Sequence, residues 1–159
     1  QGISAACGMA LSGKISGNTY KVYTILGDGE IQEGQVWEAA MFAAHYNLDN
    51  LVAIVDNNGL QIDGKIQDVM SPYPIAEKFE AFGWHTVKMN AHDFDDIERA
   101  FNEAEKIAGQ PVAIIQTSVK GKGVSFMENN VSWHGAAPNA EQYEQAVGEL
   151  TQALKELEG

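Results

Sequence analysis

The chain has 159 residues with 10 Lys+Arg against 22 Asp+Glu, a formal net charge of −12. That length buries one sizeable core, and a composition of 45% hydrophobic and 20% charged residues excludes a disordered polypeptide. The acid excess leaves no basic stripe to neutralise phosphates, which argues against a nucleic-acid surface, and no apolar run approaches the length of a membrane span.

The single cysteine, Cys7, excludes an intrachain disulfide framework and fits a reducing, cytoplasmic setting. The chain opens at Gln1-Gly2-Ile3-Ser4 without an initiator Met or a basic leader, as expected of a fragment with no signal peptide. Small apolar residues from Ile3 to Ser12 predict a buried helix that holds Cys7 as a hydrophobe rather than a nucleophile. Residues 20–26, β-branched and aromatic, predict a strand running into Gly27-Asp28-Gly29. Residues 36–46 are apolar on nearly every face and predict a helix buried all round. Residues 51–55 form a continuous apolar run, as in a central parallel strand, and end at Asp56-Asn57-Asn58-Gly59.

A short helix is expected over 75–82, a strand over 86–89 and a buried strand over 112–115. Between the last two, Phe94, Ile97, Phe101, Ala104 and Ala108 fall at helical spacing behind Asp93 as N-cap. Asn139 with Gln142 resembles a capping box opening a last helix, whose apolar face is Tyr143, Val147, Leu150, Leu154 and Leu157. Strands alternating with helices predict an α/β fold: a doubly wound, mostly parallel sheet with helices on both faces. The expected organisation is one domain over 1–159, with a sheet and helix core over 1–130 and a loop and C-terminal helix over 131–159.

In such sheets ligands sit beyond the carboxyl ends of the strands. Two strand ends stand out there, Gly27-Asp28-Gly29-Glu30 and Asp56-Asn57-Asn58-Gly59. Each by itself is a turn signal. Neighbouring parallel strands would bring both to one edge, where Asp28 offers a carboxylate and Asn58 an amide oxygen. So few hard oxygen donors suit Mg²⁺, or Ca²⁺, completed by phosphate oxygens and water. The helix following Gly29 is expected to aim its N-terminal N–H groups at the same phosphate.

The pair is separated by 27 residues between Gly29 and Asn57, filled by one helix and one strand. That arrangement resembles the Gly-Asp-Gly…Asn-Asn signature of thiamine-diphosphate enzymes. Gly27 to Gly34 with Trp37-Glu38-Ala39-Ala40, Asp56 to Gly64, Phe82-Gly83-Trp84, Lys120-Gly121-Lys122-Gly123 and Trp133-His134-Gly135 follow in the order of the transketolase family. The wording of residues 121–129 is similar to the N-terminal subunit of split transketolases. Deoxyxylulose-phosphate synthase and other ketol transferases are related alternatives, as is a truncated, inactive cofactor-binding domain.

The resemblance implies thiamine diphosphate and Mg²⁺ as cofactors. It implies Asp28, Asn58 and the Leu60 carbonyl as metal ligands, with Gly27, Gly29 and Glu30 beside the diphosphate. It places Ile62 near the thiazolium ring, His134 near the diphosphate and substrate, and Glu33 in a proton network across a subunit interface. Glu33 is also the residue type that a helix N-terminus favours, and Lys120 and Lys122 are open to an anionic ligand or to solvent. His45, His85 and His92 match no catalytic position. The implied reaction moves a two-carbon ketol unit from a ketose phosphate to an aldose phosphate. The implied partner is a pyrimidine-binding subunit in a homo- or hetero-oligomer, because no residue here matches the glutamate that contacts the pyrimidine ring.

Overall fold

The computed structural model describes residues 1–158. Helix α1 (Gly2–Ile15) leads into strand β1 (Val22–Gly27), helix α2 (Gly34–His45) and strand β2 (Leu51–Asn57). A small hairpin follows, β3 (Leu60–Gln61) and β4 (Gly64–Lys65), and then the short helix α3 (Ile66–Met70). Helix α4 (Ile75–Ala81), strand β5 (His85–Asn90), helix α5 (Phe94–Lys106), strand β6 (Val112–Thr117) and helix α6 (Ala140–Glu158) complete the order.

The long strands form one sheet in the order β1-β2-β6-β5, and every pairing in it is parallel. Strand side chains alternate between faces, and the two cores follow that alternation. Leu51, Ala53 and Val55 of β2 pack with Ile3 of α1, Val36 and Ala40 of α2 and Phe79 of α4. Val52 and Ile54 pack instead with Val87, Ile114 and the small Ala100 and Ala104 of α5. The sheet is therefore covered on both faces, as the sequence predicts. On the first face the Trp84 indole donates to the Ala40 carbonyl at 2.9 Å, so a large buried ring keeps its polar atom satisfied. The Cys7 thiol donates to the Ala39 carbonyl at 3.6 Å, and burial pushes it up to about 11.

Three apolar faces are exposed, the first of them against expectation. Helix α2 is buried on one side only, through Val36, Ala39, Ala40 and Ala43, while Met41, Phe42 and Tyr46 are exposed. The apolar face of α6 is 43–86% exposed and only Ala146 of that helix is buried. Its amphipathic pattern is a local property, and docking would need a facing surface. At the sheet edge, Tyr23 and Ile25 of β1 are exposed on the α5 side, which α5 reaches through a Tyr23–Phe101 ring contact at 5.8 Å. No helix among the described residues is long and apolar enough to cross a membrane.

Candidate functional site

Parallel pairing sets Gly27 opposite Asp56, and just beyond it the Asp28 N–H donates to the Asp56 carbonyl at 3.2 Å. The two strand-end loops thus leave the sheet side by side. Asp28 is 1% exposed, and its Oδ2 accepts the Gly59 N–H at 2.7 Å. Gly59 has φ of +75°, a left-handed conformation that glycine adopts without strain, and this turns its N–H onto the carboxylate.

Burial pushes the Asp28 carboxyl above its ordinary value; the Gly59 and Gly29 N–H groups oppose that, the Asp56 charge adds to it and Lys120 opposes it. None of the ion pairs among the described residues includes Asp28. A desolvated carboxylate without a bonded cation is an uncompensated charge, and a divalent cation matches it. Beside it, the Asn58 Oδ1 accepts the Leu60 N–H at 3.0 Å and keeps a second lone pair. No cluster of three or more His, Cys, Asp or Glu side chains fit to hold a metal occurs among the described residues. A cation here would draw on one carboxylate, an amide oxygen, a backbone carbonyl and the ligand's own oxygens. That set fits Mg²⁺ bound together with a diphosphate.

A pocket of about 490 Å³ opens over this pair. It brings together Gly27, Asp28, Gly29, Glu30, Asn58, Leu60, Ile62, Lys120 and His134, and adds Gln32, Asp56, Gln61 and Asp63. A wider cleft of about 670 Å³ lies elsewhere, lined by Tyr73, Lys88 and Arg99 among others, and contains neither Asp28 nor Asn58. Chemistry rather than size therefore singles out the smaller pocket.

Local structure explains how each wall is held. The Glu30 carboxylate turns back to accept the Gly27 N–H at 3.1 Å, closing the loop on itself. A 3-10 turn over Glu30–Gln32 then intervenes, and α2 starts only at Gly34. The helix expected over 36–46 thus begins two residues earlier, with the turn between it and Gly29. Glu33 is the N-cap residue of α2, makes no side-chain capping bond and is exposed outside the pocket lining.

Ile62 occupies the exposed hairpin turn at the pocket rim. The hairpin is tied down by Gln32, whose Nε2 donates to Gln61 Oε1 at 2.7 Å and to the Met70 carbonyl at 2.6 Å. Gln32 and Gln61 escape sequence reasoning, and the Asp63-Gly64 dipeptide is the one turn signal that could have exposed the hairpin. The 3-10 turn Val131–Trp133 presents His134, and its anchor is the Trp133 indole, which donates to the Phe126 carbonyl at 3.0 Å. Lys122 does not reach the pocket and pairs with Glu128 at 3.3 Å. His45, His85 and His92 also lie outside it. His85 faces Glu103 at 3.4 Å, and the His92 Nε2 accepts the Val119 N–H at 2.8 Å.

Fold and site define an α/β domain with a polar, cation-suited pocket at the carboxyl ends of neighbouring parallel strands. The family described as transketolase, thiamine diphosphate binding domain, matches residues 1–153, and the chain belongs to that family. It is 44% identical over 157 residues to an apulose-4-phosphate transketolase subunit of Phocaeicola vulgatus, a match covering 99% of this chain and 56% of that protein. It is 43% identical over 150 residues to 6-deoxy-6-sulfo-D-fructose transketolase subunit SqwG of Clostridium sp. (strain MSTE9), covering 94% of this chain and 54% of that one. Among solved structures, transketolase from Campylobacter jejuni superposes with a TM-score of 0.88 at 30% identity, over 93% of this chain and 24% of that one. The chain spans about half the length of the curated subunits it matches.

Proposed function

We propose that this chain is the diphosphate- and Mg²⁺-binding half of a cytoplasmic transketolase. The enzyme moves a two-carbon ketol unit from a ketose phosphate to an aldose phosphate, with a separate pyrimidine-binding chain completing the site. The observation that carries the proposal is the junction of the two strand ends. The desolvated Asp28 carboxylate lies beside the Asn58 amide, bonded to the Gly59 N–H at 2.7 Å, in a pocket that also contains Lys120 and His134.

Asp28, Asn58 and the Leu60 carbonyl hold the cation, and the backbone of Gly27, Gly29 and Glu30 flanks the diphosphate. Lys120 adds positive charge beside it, and Ile62 offers an apolar rim to the thiazolium ring. Bound thiamine diphosphate supplies the nucleophilic carbon that carries the two-carbon unit. His134, on an exposed turn at the pocket mouth, is placed to donate hydrogen bonds to the diphosphate and to the reacting sugar. The exposed, uncapped Glu33 is free to bond across a subunit interface. The chain is one diphosphate-binding domain, with a sheet and helix core over 1–130 and a loop and C-terminal helix after it, of which the loop brings His134 to the pocket.

The test is calorimetry of the full chain with its partner, Mg²⁺ and thiamine diphosphate, followed by a ketol-transfer assay. Asp28→Ala and Asn58→Ala are each expected to weaken binding at least as much as the roughly 10–100-fold that follows loss of a ligand's supporting partner. Binding and transfer unchanged in both variants would sink the proposal. The names of the two subunit relatives favour a second reading, in which the sugar is not the ordinary pentose or hexose phosphate. Product analysis with ordinary, sulfonated and branched ketose donors separates the two.

A further inference from the structure

Asp56 forms the back wall of the pocket and is not one of the expected ligands. Its carboxylate joins the Asn58 loop to the end of β6, and its backbone carbonyl adds the Asp28 loop. Oδ2 accepts the Asn58 Nδ2–H at 3.1 Å. Oδ1 accepts the Gln116 Nε2–H at 3.1 Å and also the Ser118 hydroxyl. The Asp56 carbonyl accepts the Asp28 N–H at 3.2 Å.

These bonds fix the orientation of the Asn58 amide by donor and acceptor chemistry. A backbone N–H can only donate and an ionised carboxylate can only accept. The Leu60 N–H on one side of Asn58 and the Asp56 Oδ2 on the other therefore admit a single amide orientation. With the amide reversed, Nδ2 would face the Leu60 N–H and Oδ1 would face a carboxylate oxygen, losing both bonds and adding two repulsions. Leu60 N–H alone would leave the side chain one tether; Asp56 supplies the second.

We propose that Asp56 is a positioning residue that holds the Asn58 amide oxygen toward the cation site, while Gln116 and Ser118 at the end of β6 hold Asp56. The inference rests on Asn58 as a metal ligand. It adds the third strand of the sheet to the cation site, through a side chain that never touches the ion. Supporting groups of this kind commonly set affinity within a factor of roughly 10–100.

Mn²⁺ serves as the probe, titrated into the full chain with its partner and thiamine diphosphate and read by electron paramagnetic resonance. Asp56→Asn keeps an acceptor oxygen for Gln116 and Ser118 but turns an N–H donor toward the Asn58 Nδ2. Its expected effect is a loss of about 10-fold or more in Mn²⁺ affinity. The decisive variant is Asp56→Asn combined with Asn58→Asp. There the bond is reversed, Asn donating to Asp, and an oxygen again faces the cation, so affinity is expected to return to within a few-fold of the parent.

Thermal melts of both variants separate misfolding from mispositioning. If Asp56→Asn binds Mn²⁺ like the parent, or if the double variant melts normally yet binds no better than Asp56→Asn alone, the positioning role is overturned. If Asn58→Ala leaves Mn²⁺ binding unchanged, the ligand assignment beneath it fails instead.

Discussion

At the residue scale, glycines in one chain answer to different physics, and the same substitution should change sign between them. Gly121 lies in the loop after β6 with φ of +72°, and a Cβ built there would come within 2.6 Å of the Met127 carbonyl oxygen. The loop is closed around that approach by the Asn129 N–H donating to the Lys120 carbonyl at 2.9 Å. The Gly123 N–H also donates to Glu128 Oε1 at 3.0 Å, and that bond, with Lys122 beside it, holds the Glu128 carboxyl below its usual range. Gly121→Ala is expected to destabilise the chain by about 1–3 kcal/mol and to displace Lys120 from the pocket. Gly148 sits in the exposed interior of α6 with nothing within 4 Å of its added Cβ, and Gly148→Ala is expected to stabilise by about 0.5–1 kcal/mol. Urea melts of the two variants read both signs, and equal effects would show that the loop is not as tightly closed as its bonds imply.

At the element scale, legibility followed the range of the interactions that define each element. Helix α5 could be read because its signals are local: Asp93 caps it by accepting the Asp95 and Asp96 N–H groups at 3.0 and 3.2 Å, and Ile97, Phe101 and Ala104 recur at helical spacing and pack on the sheet, although Phe94 is exposed and Ala108 lies beyond the helix end at Lys106. Strand β2 could be read because it is buried along five consecutive residues. The capping box of α6 was equally clear, since Asn139 and Gln142 exchange bonds at 2.9 Å each. Hairpin β3–β4 has strands of two residues, too short for any period, and its place is set by Gln32 from 29 residues away. At the site, motif and register brought Asp28 and Asn58 together, whereas the roles of Asp56 and Gln116 depend on cross-strand bonds that no spacing encodes.

One cross-element link carries a pH prediction. The Asp49 carboxylate joins α1 to the turn before β6, accepting from Lys14 Nζ and the Gly109 N–H at 2.9 Å each. The Lys14 bond and then the Gly109 bond hold the Asp49 carboxyl below its ordinary value. Its folded value thus lies under its unfolded one, so its stabilisation is complete above the unfolded value and is lost as pH falls through the folded one. Asp49→Asn should therefore be less stable than the parent near neutral pH, and the gap should close as the solution is acidified. Urea melts across that range check it, and a gap independent of pH would contradict the assignment.

For the molecule as a whole, the net charge of −12 sets a problem that the site must solve locally. The family's cofactor carries a diphosphate, and the field of the chain as a whole repels it. Against that field the pocket offers Lys120 and His134, while Asp28, Asp56, Glu30 and Asp63 line the same space. The local protein charge is thus itself acidic, and on the proposed function the attraction comes from a cation bound between carboxylate and diphosphate. The expected consequence is a strong metal requirement for binding itself, separate from any requirement in turnover. In excess chelator, calorimetry of the chain with the proposed pyrimidine-binding chain should find thiamine diphosphate binding weakened by about 10-fold or more, on the scale of losing a metal-site support. Salt should then act in opposite directions in the two conditions. Without metal, raising the ionic strength shortens the screening length to about 10 Å at 0.1 M and relieves the repulsion, so the remaining weak binding should tighten. With Mg²⁺ saturating, the dominant contacts are short and poorly screened, and binding should stay level or weaken slightly. Tight binding in chelator, or metal-free binding that falls with salt, would mean that a basic surface outside this pocket captures the cofactor.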